Sequence, residues 1–99
     1  MCGIVAYLGK KPAQPILTEG LKRLEYRGYD SAGVALLSGG AISIKKTSGR
    51  ISALEAILDE PDADQCLGVG HTRWATHGEP NTTNAHPHPD YTGRIALVH

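Results

Sequence analysis

Cys2 directly follows the initiator Met, an uncommon place for a cysteine. Its small side chain is of the kind that permits removal of Met1, which would leave thiol and free α-amine on one residue. An α-amine titrates at about 7.7–8.0 and can take up a proton near neutral pH. Nucleophile and base then arrive together, and a thiol needs less activation than a hydroxyl. By position alone the more ordinary reading of Cys2 is a small apolar residue opening a strand, since a free cysteine most often behaves as a buried hydrophobe.

A second group of candidates lies in Gly70-His71-Thr72-Arg73-Trp74-Ala75-Thr76-His77-Gly78-Glu79-Pro80. An arginine at a strand end offers a planar fork for a carboxylate. Trp74, the only tryptophan, stands beside it in a polar stretch bounded by glycine and proline. Thr76 and His77 add hydrogen-bonding groups. Such a loop could close over a small zwitterion and exclude water. It could equally be a surface loop with Trp74 tucked inward and Arg73 solvated.

The third group is Asn84-Ala85-His86-Pro87-His88-Pro89, with His71 and His77 nearby. Histidines two apart on an extended chain point the same way, which suits a metal pair. No acidic or thiol ligand has matching spacing, however, and no H-E-x-x-H occurs. Histidines that order a loop through hydrogen bonds to backbone are the expectation, with no metal and no cofactor. Gly68-x-Gly70 is too short for a dinucleotide fingerprint, and Ser31 lies outside any G-x-S-x-G elbow.

These residues need elements to hold them. Gly3–Leu8 reads as a buried strand. Pro12 and Pro15, then Leu17, Leu21 and Leu24, predict a helix over roughly 13–25, with Lys22, Arg23 and Glu25 on its wet face. Residues 27–31 read as a turn leading into a strand over 32–37. Gly39-Gly40 makes a two-residue hairpin link into an alternating strand over 41–45. Ile51, Leu54, Ile57 and Leu58 predict a second helix stopped near Pro61. Residues 66–71 read as a further strand, 72–90 as a long functional loop, and 94–99 as a final strand. Strands precede, separate and follow the helices, so an α+β or layered α/β chain with a mixed sheet is expected.

Ninety-nine residues suffice for one small domain, and 40% hydrophobic content is ordinary for a folded chain. Ten basic residues balance ten acidic ones, so no charge footprint for nucleic acid or an anionic membrane exists. No apolar run approaches a membrane span and no signal peptide is evident, which makes a cytoplasmic location the default. Cys2 and Cys66 are then expected as free thiols, Cys66 as a buried strand residue. A close on the apolar run Ile95-Ala96-Leu97-Val98 suggests the front part of something longer.

Taken together, Met1-Cys2-Gly3-Ile4-Val5, LEYRGYDSAG at 24–33, HTRWATHGEPN at 71–81 and NAHPH at 84–88 closely resemble the glucosamine-6-phosphate synthase family of class II glutamine amidotransferases. The motifs span the chain in the family's order. Phosphoribosylpyrophosphate amidotransferases, which typically read HRGQDSAG, share less of the wording. The resemblance implies a four-layer α-β-β-α sandwich of the N-terminal nucleophile hydrolase type, with residues 1–99 an N-terminal part of a type 2 amidotransferase domain. It implies that Cys2 is the nucleophile attacking glutamine, that Arg73 holds the substrate carboxylate, and that Trp74, Thr76 and His77 form the closing loop. It also implies supporting places for Arg27, Gly28 and His86, the last without an assigned step. In the family an Asn-Gly oxyanion pair follows directly after the position of His99 and a later Asp binds the amino group. The isolated piece is therefore expected to be essentially inactive, since oxyanion donors are commonly worth ~10²–10³ in rate each. For the parent protein the resemblance implies glutamine and, through a C-terminal part, fructose 6-phosphate as substrates, and a homo-oligomer. Another class II amidotransferase and a non-catalytic metal- or ligand-binding module are the alternatives. The sequence beyond His99 separates the first of these, and zinc content the second.

Overall fold

The computed structural model describes residues 1–99. In chain order it contains β1 (Gly3–Leu8), α1 (Ala13–Leu24), a single 3-10 turn over Glu25–Arg27, β2 (Ser31–Ser38), β3 (Ala41–Ser48), α2 (Ile51–Ile57), β4 (Leu67–Arg73), β5 (His88–Pro89) and β6 (Ala96–Leu97). The first four strands form one sheet in the spatial order β1-β4-β2-β3, and every pairing is antiparallel. The expected mixed sheet is thus an antiparallel one. Its β2–β3 hairpin turns on Gly39 and Gly40, whose φ angles of 58° and 79° suit a tight turn that residues with a Cβ enter at a cost.

Both helices lie on one face of the sheet. Leu17 and Leu21 of α1 and Ile51 and Leu54 of α2 are fully buried against Ala32, Val34 and Leu36, with Val5 and Tyr7 packed alongside. Side chains four apart share one stripe of a helix, and alternate residues share one face of a strand. The central strand β4 contributes almost no bulk to this layer. A Cβ on Gly68 would stand 2.9 Å from Leu17 Cδ1, and one on Gly70 would stand 2.9 Å from Leu21 Cδ1. The Gly68-x-Gly70 pair is therefore a packing device that lets α1 lie close over the sheet. Helix α2 is started by the 3-10 turn, since Glu25 Oε1 accepts the Ile51 N–H at 3.2 Å. That bond satisfies one of the helix's free N-terminal donors.

Of the four layers that the resemblance implies, these residues form one helix layer and one sheet. The sheet's other face is covered only toward one end, by residues 84–87, where Ala85 and Pro87 are buried. Toward the other end Ala35, Leu37, Ile42, Leu67 and Val69 line an open apolar depression with Arg94 and Ala96. The strand expected over 94–99 is limited to Ala96–Leu97, paired with His88–Pro89. A turn accounts for the difference: Asp90 Oδ1 accepts the Arg94 and Ile95 N–H groups at 2.9 Å each, and Gly93 has φ 74°. Cys66 also departs from expectation. It sits half-exposed just before β4, donating its thiol to Ala63 O at 3.1 Å, rather than buried within a strand.

Candidate active site

The site is built at one end of the sheet. Strands β1 and β4 pair with Gly3 opposite Thr72, so the register continued by one residue sets Cys2 beside Arg73. On the other flank of β4, Ser31 of β2 pairs with Arg73. Gly3 is needed for this approach, because a Cβ there would stand 2.8 Å from both Leu24 Cβ and Thr72 Oγ1. Cys2 is half-buried, and its Sγ points at the Trp74 carbonyl oxygen 4.0 Å away. Cys66 belongs to the opposite end, since Leu8 pairs with Leu67. Six paired positions separate the two thiols, a span of roughly 20 Å at ~3.3 Å per residue, so they cannot bridge.

Arg27 and Gly28 come to the same end of the sheet from the turn after α1. The Arg27 guanidinium rests against Met1 Sδ, the residue whose removal would bare the Cys2 amine. A Cβ on Gly28 would stand 2.7 Å from Arg73 C and 2.8 Å from Trp74 N. Its φ of 176° is ordinary extended backbone, so space alone demands glycine there.

Arg73 is nearly buried, at 8% exposure, and its fork turns into its own loop. Nη1 donates to Glu79 O at 3.2 Å and Nη2 donates to His77 O. Asn84 Nδ2 donates to the same Glu79 carbonyl at 2.9 Å. The loop is thus wound around a cation before any ligand enters. A guanidinium has five N–H groups, so capacity for a carboxylate remains. Trp74 is 48% exposed rather than tucked into the core, and its ring meets the edge of Tyr29 at 6.1 Å. Arg50 lies over the other ring of that pair, with Cζ 4.5 Å from the Tyr29 centroid. Thr76 and His77 are exposed on the loop. Cys2, Arg27, Gly28, Arg73 and Trp74 therefore come together, with Thr76 and His77 exposed on the segment that follows.

His86 belongs to a different cluster. Its ring stacks on buried His71 at 4.2 Å and tilts against His88 at 4.4 Å. His71 Nε2 stands 2.7 Å from His99 O, while the Nδ1 atoms of His71 and His86 have no partner. No group of three or more His, Cys, Asp or Glu side chains converges as a metal site. Burial pushes the His86 imidazole down to about 4, helped by the neighbouring His71 and His88 and by Arg73. Burial likewise lowers His71, against the bond to His99, and lowers His88. A histidine that resists protonation when folded and accepts a proton at its ordinary ~6.5 when unfolded favours unfolding as pH falls between those values. Stability against denaturant is expected to drop as pH falls from about 6.5 toward 4. The slope should flatten in His86→Gln, measured as unfolding midpoint against pH. A slope identical in both proteins would remove His86 from the account.

The sequence assigns no role to Asp30, Tyr29 or Asn84, although all three contact the loop. Asp30 accepts the Ala75 N–H through Oδ2 and donates its own N–H to Arg73 O at 3.2 Å. The available signal was an Asp following an arginine-glycine turn, a residue type suited to binding nearby backbone N–H groups.

No protein-family model matches the chain. A glutamine–fructose-6-phosphate aminotransferase (isomerizing) of Caldanaerobacter subterraneus subsp. tengcongensis is 59% identical over 99 residues, covering 100% of this chain and 16% of that protein. Proteins of the same name from Symbiobacterium thermophilum and Pyrococcus horikoshii are each 57% identical over all of the chain, which covers 16% and 17% of them. The chain thus spans about one sixth of the length of the curated relatives it matches. Among solved structures, the glutamine phosphoribosylpyrophosphate (PRPP) amidotransferase from B. subtilis complexed with ADP and GMP superposes with a TM-score of 0.66. That likeness has 23% identity and covers 88% of this chain and 18% of that one, showing a shared fold. Along its whole length the chain is thus similar, at 52–59% identity, to one end-to-end stretch of glutamine–fructose-6-phosphate aminotransferases (isomerizing), and its backbone shares the N-terminal nucleophile hydrolase type of fold with the amidotransferase structure.

Proposed function

We propose that residues 1–99 are the nucleophile-bearing part of a type 2 glutamine amidotransferase domain, and that Cys2 hydrolyses glutamine. The observation carrying this is the meeting of Cys2 Sγ with the exit of β4, 4.0 Å from Trp74 O and beside Arg73. After loss of Met1, the thiol attacks the side-chain amide carbon of glutamine. The thiol proton passes to the α-amine of Cys2 and from there to the departing nitrogen, which leaves as ammonia. Water then cleaves the glutamyl thioester, giving glutamate and restoring the thiol. Arg73 binds the substrate α-carboxylate with the donors its loop does not use. Trp74, Thr76 and His77 close over it, with Arg27 and Gly28 supporting the nucleophile and His86 bracing the loop's far end. In the full-length protein the ammonia converts fructose 6-phosphate to glucosamine 6-phosphate in a C-terminal part, within a cytoplasmic homo-oligomer. The names and 52–59% identities of the relatives support that acceptor. No helix is long and apolar enough to cross a membrane.

The test is mass-spectrometric mapping of a glutamine-shaped electrophile on the full-length protein. The expected result is a label on a Cys2 that lacks Met1, suppressed by excess glutamine. A label on Cys66, or a retained Met1 with no label, would overturn the assignment.

A further inference from the structure

We infer that Asp30 is a positioning residue for the nucleophile, acting through the Trp74–Ala75 peptide; this rests on the role proposed for Cys2. The Ala75 N–H and the Trp74 carbonyl belong to one peptide unit. Asp30 Oδ2 accepts the N–H, and Cys2 Sγ faces the carbonyl oxygen at 4.0 Å. A trans peptide is planar, with N–H and C=O pointing in opposite directions. A group that fixes one end of it therefore fixes the aim of the other. The bond is charge-assisted, which shortens and strengthens it and polarises the peptide so that its carbonyl becomes a better acceptor.

Asp30 is itself firmly anchored. Its N–H donates to Arg73 O at 3.2 Å, its carbonyl accepts the Gly49 N–H at 2.8 Å, and its Oδ1 accepts the Ser31 hydroxyl at 3.2 Å. It thereby ties the entry of β2, the exit of β3 and the exit of β4 into one junction. The peptide it holds is also the point where the chain leaves the sheet and the substrate-covering segment begins. Asp30 sets the direction of the thiol in the resting site and the starting point of the loop that closes.

The experiment compares Asp30→Ala, Asp30→Asn and Asp30→Glu in the full-length protein. Glutaminase kcat and KM are measured together with the pH profile of Cys2 alkylation by iodoacetamide, Cys66 serving as internal reference. An Asn oxygen can still accept the Ala75 N–H, whereas Glu keeps the charge but moves the carboxylate by a methylene. Asp30→Ala is expected to lower kcat about 100-fold, the scale of a misplacement of about 1 Å. Its alkylation midpoint should move to lower pH, because an acceptor for the S–H favours the neutral thiol. Asp30→Asn should restore kcat to within a few-fold, and Asp30→Glu should not. If Asp30→Ala fails to fold, the Asn and Glu pair decides. Glu equal to or better than Asn would show that charge rather than the bond matters, overturning the inference. Unchanged kcat and midpoint in Asp30→Ala, or Cys66 reacting faster alongside, would overturn it too. Absence of any Cys2 label in the unsubstituted protein would instead sink the nucleophile assignment itself.

Discussion

Cys2→Ala in the full-length protein is expected to reduce release of glutamate from glutamine by about 10³-fold or more, the scale of losing a covalent nucleophile. Within residues 1–99 the other thiol cannot substitute, because Cys66 lies at the far end of β1 and β4 and is held to Ala63 O. Cys66→Ala is accordingly expected to keep full rate. Thermal stability should barely change in Cys2→Ala, since Cys2 precedes β1 and lies outside the buried cluster. Cys2→Ser keeps an oxygen nucleophile beside the same amine, yet a hydroxyl needs far more activation, so it should lose most of the rate as well. An N-terminal extension that survives processing isolates the amine. It leaves the thiol in place and is expected to reduce the rate by about 10²–10⁴, the usual worth of a positioned proton carrier. These rates are read by glutamate production at saturating glutamine. A Cys2→Ala protein retaining a tenth or more of the rate would place the nucleophile elsewhere.

The elements that the sequence disclosed are those written in local pattern. Strand β1, helix α1 and the Gly39-Gly40 hairpin follow from periodicity and turn chemistry over fewer than a dozen neighbours each, and they appear where expected. Strand order was not legible. β4 enters between β1 and β2, so Thr72 faces both Gly3 and Ala32, and nothing local announces a pairing across so much chain. That same insertion places Arg73 beside Cys2, so the resemblance carried the association before the geometry did. Cys66 was misread because a cysteine next to an apolar run looks like part of it. The run begins one residue later, after Gly9 N has bonded to Cys66 O at 3.1 Å. The chain over 94–99 reads as a strand because Ile95, Ala96, Leu97 and Val98 are apolar, whereas Asp90 folds Arg94 and Ile95 into a turn. Asp30 escaped notice because its importance lies in a backbone N–H 45 residues away.

Gly33→Ala carries the largest expected penalty among the glycine positions, and it tests whether the covered end of the sheet supports the site. A Cβ at Gly33 would stand 2.2 Å from the His86 carbonyl oxygen, 2.7 Å from Lys46 Cβ and 3.0 Å from Pro87 Cδ. The nearest of these is backbone in a segment pinned on both sides. Ala85 is fully buried, and Lys46 Nζ donates to Ala85 O at 2.9 Å. The segment must lift, separating His86 from His71 and exposing Pro87. Overpacking of this kind costs about 1–3 kcal/mol, seen as a lower denaturant midpoint at unchanged slope. Gly93→Ala is the control: its φ of 74° imposes conformational strain, but no atom lies within 4 Å of the added methyl. Its cost should be that of an L residue in the left-handed region, about 1–2 kcal/mol, with no effect on the site. Gly33→Ala should also raise the KM for glutamine, because the lifted segment carries Asn84, which shares the Glu79 carbonyl with Arg73. If both variants leave KM unchanged, the loop holds Arg73 without help from residues 84–87. The histidine stack is then a feature of packing alone.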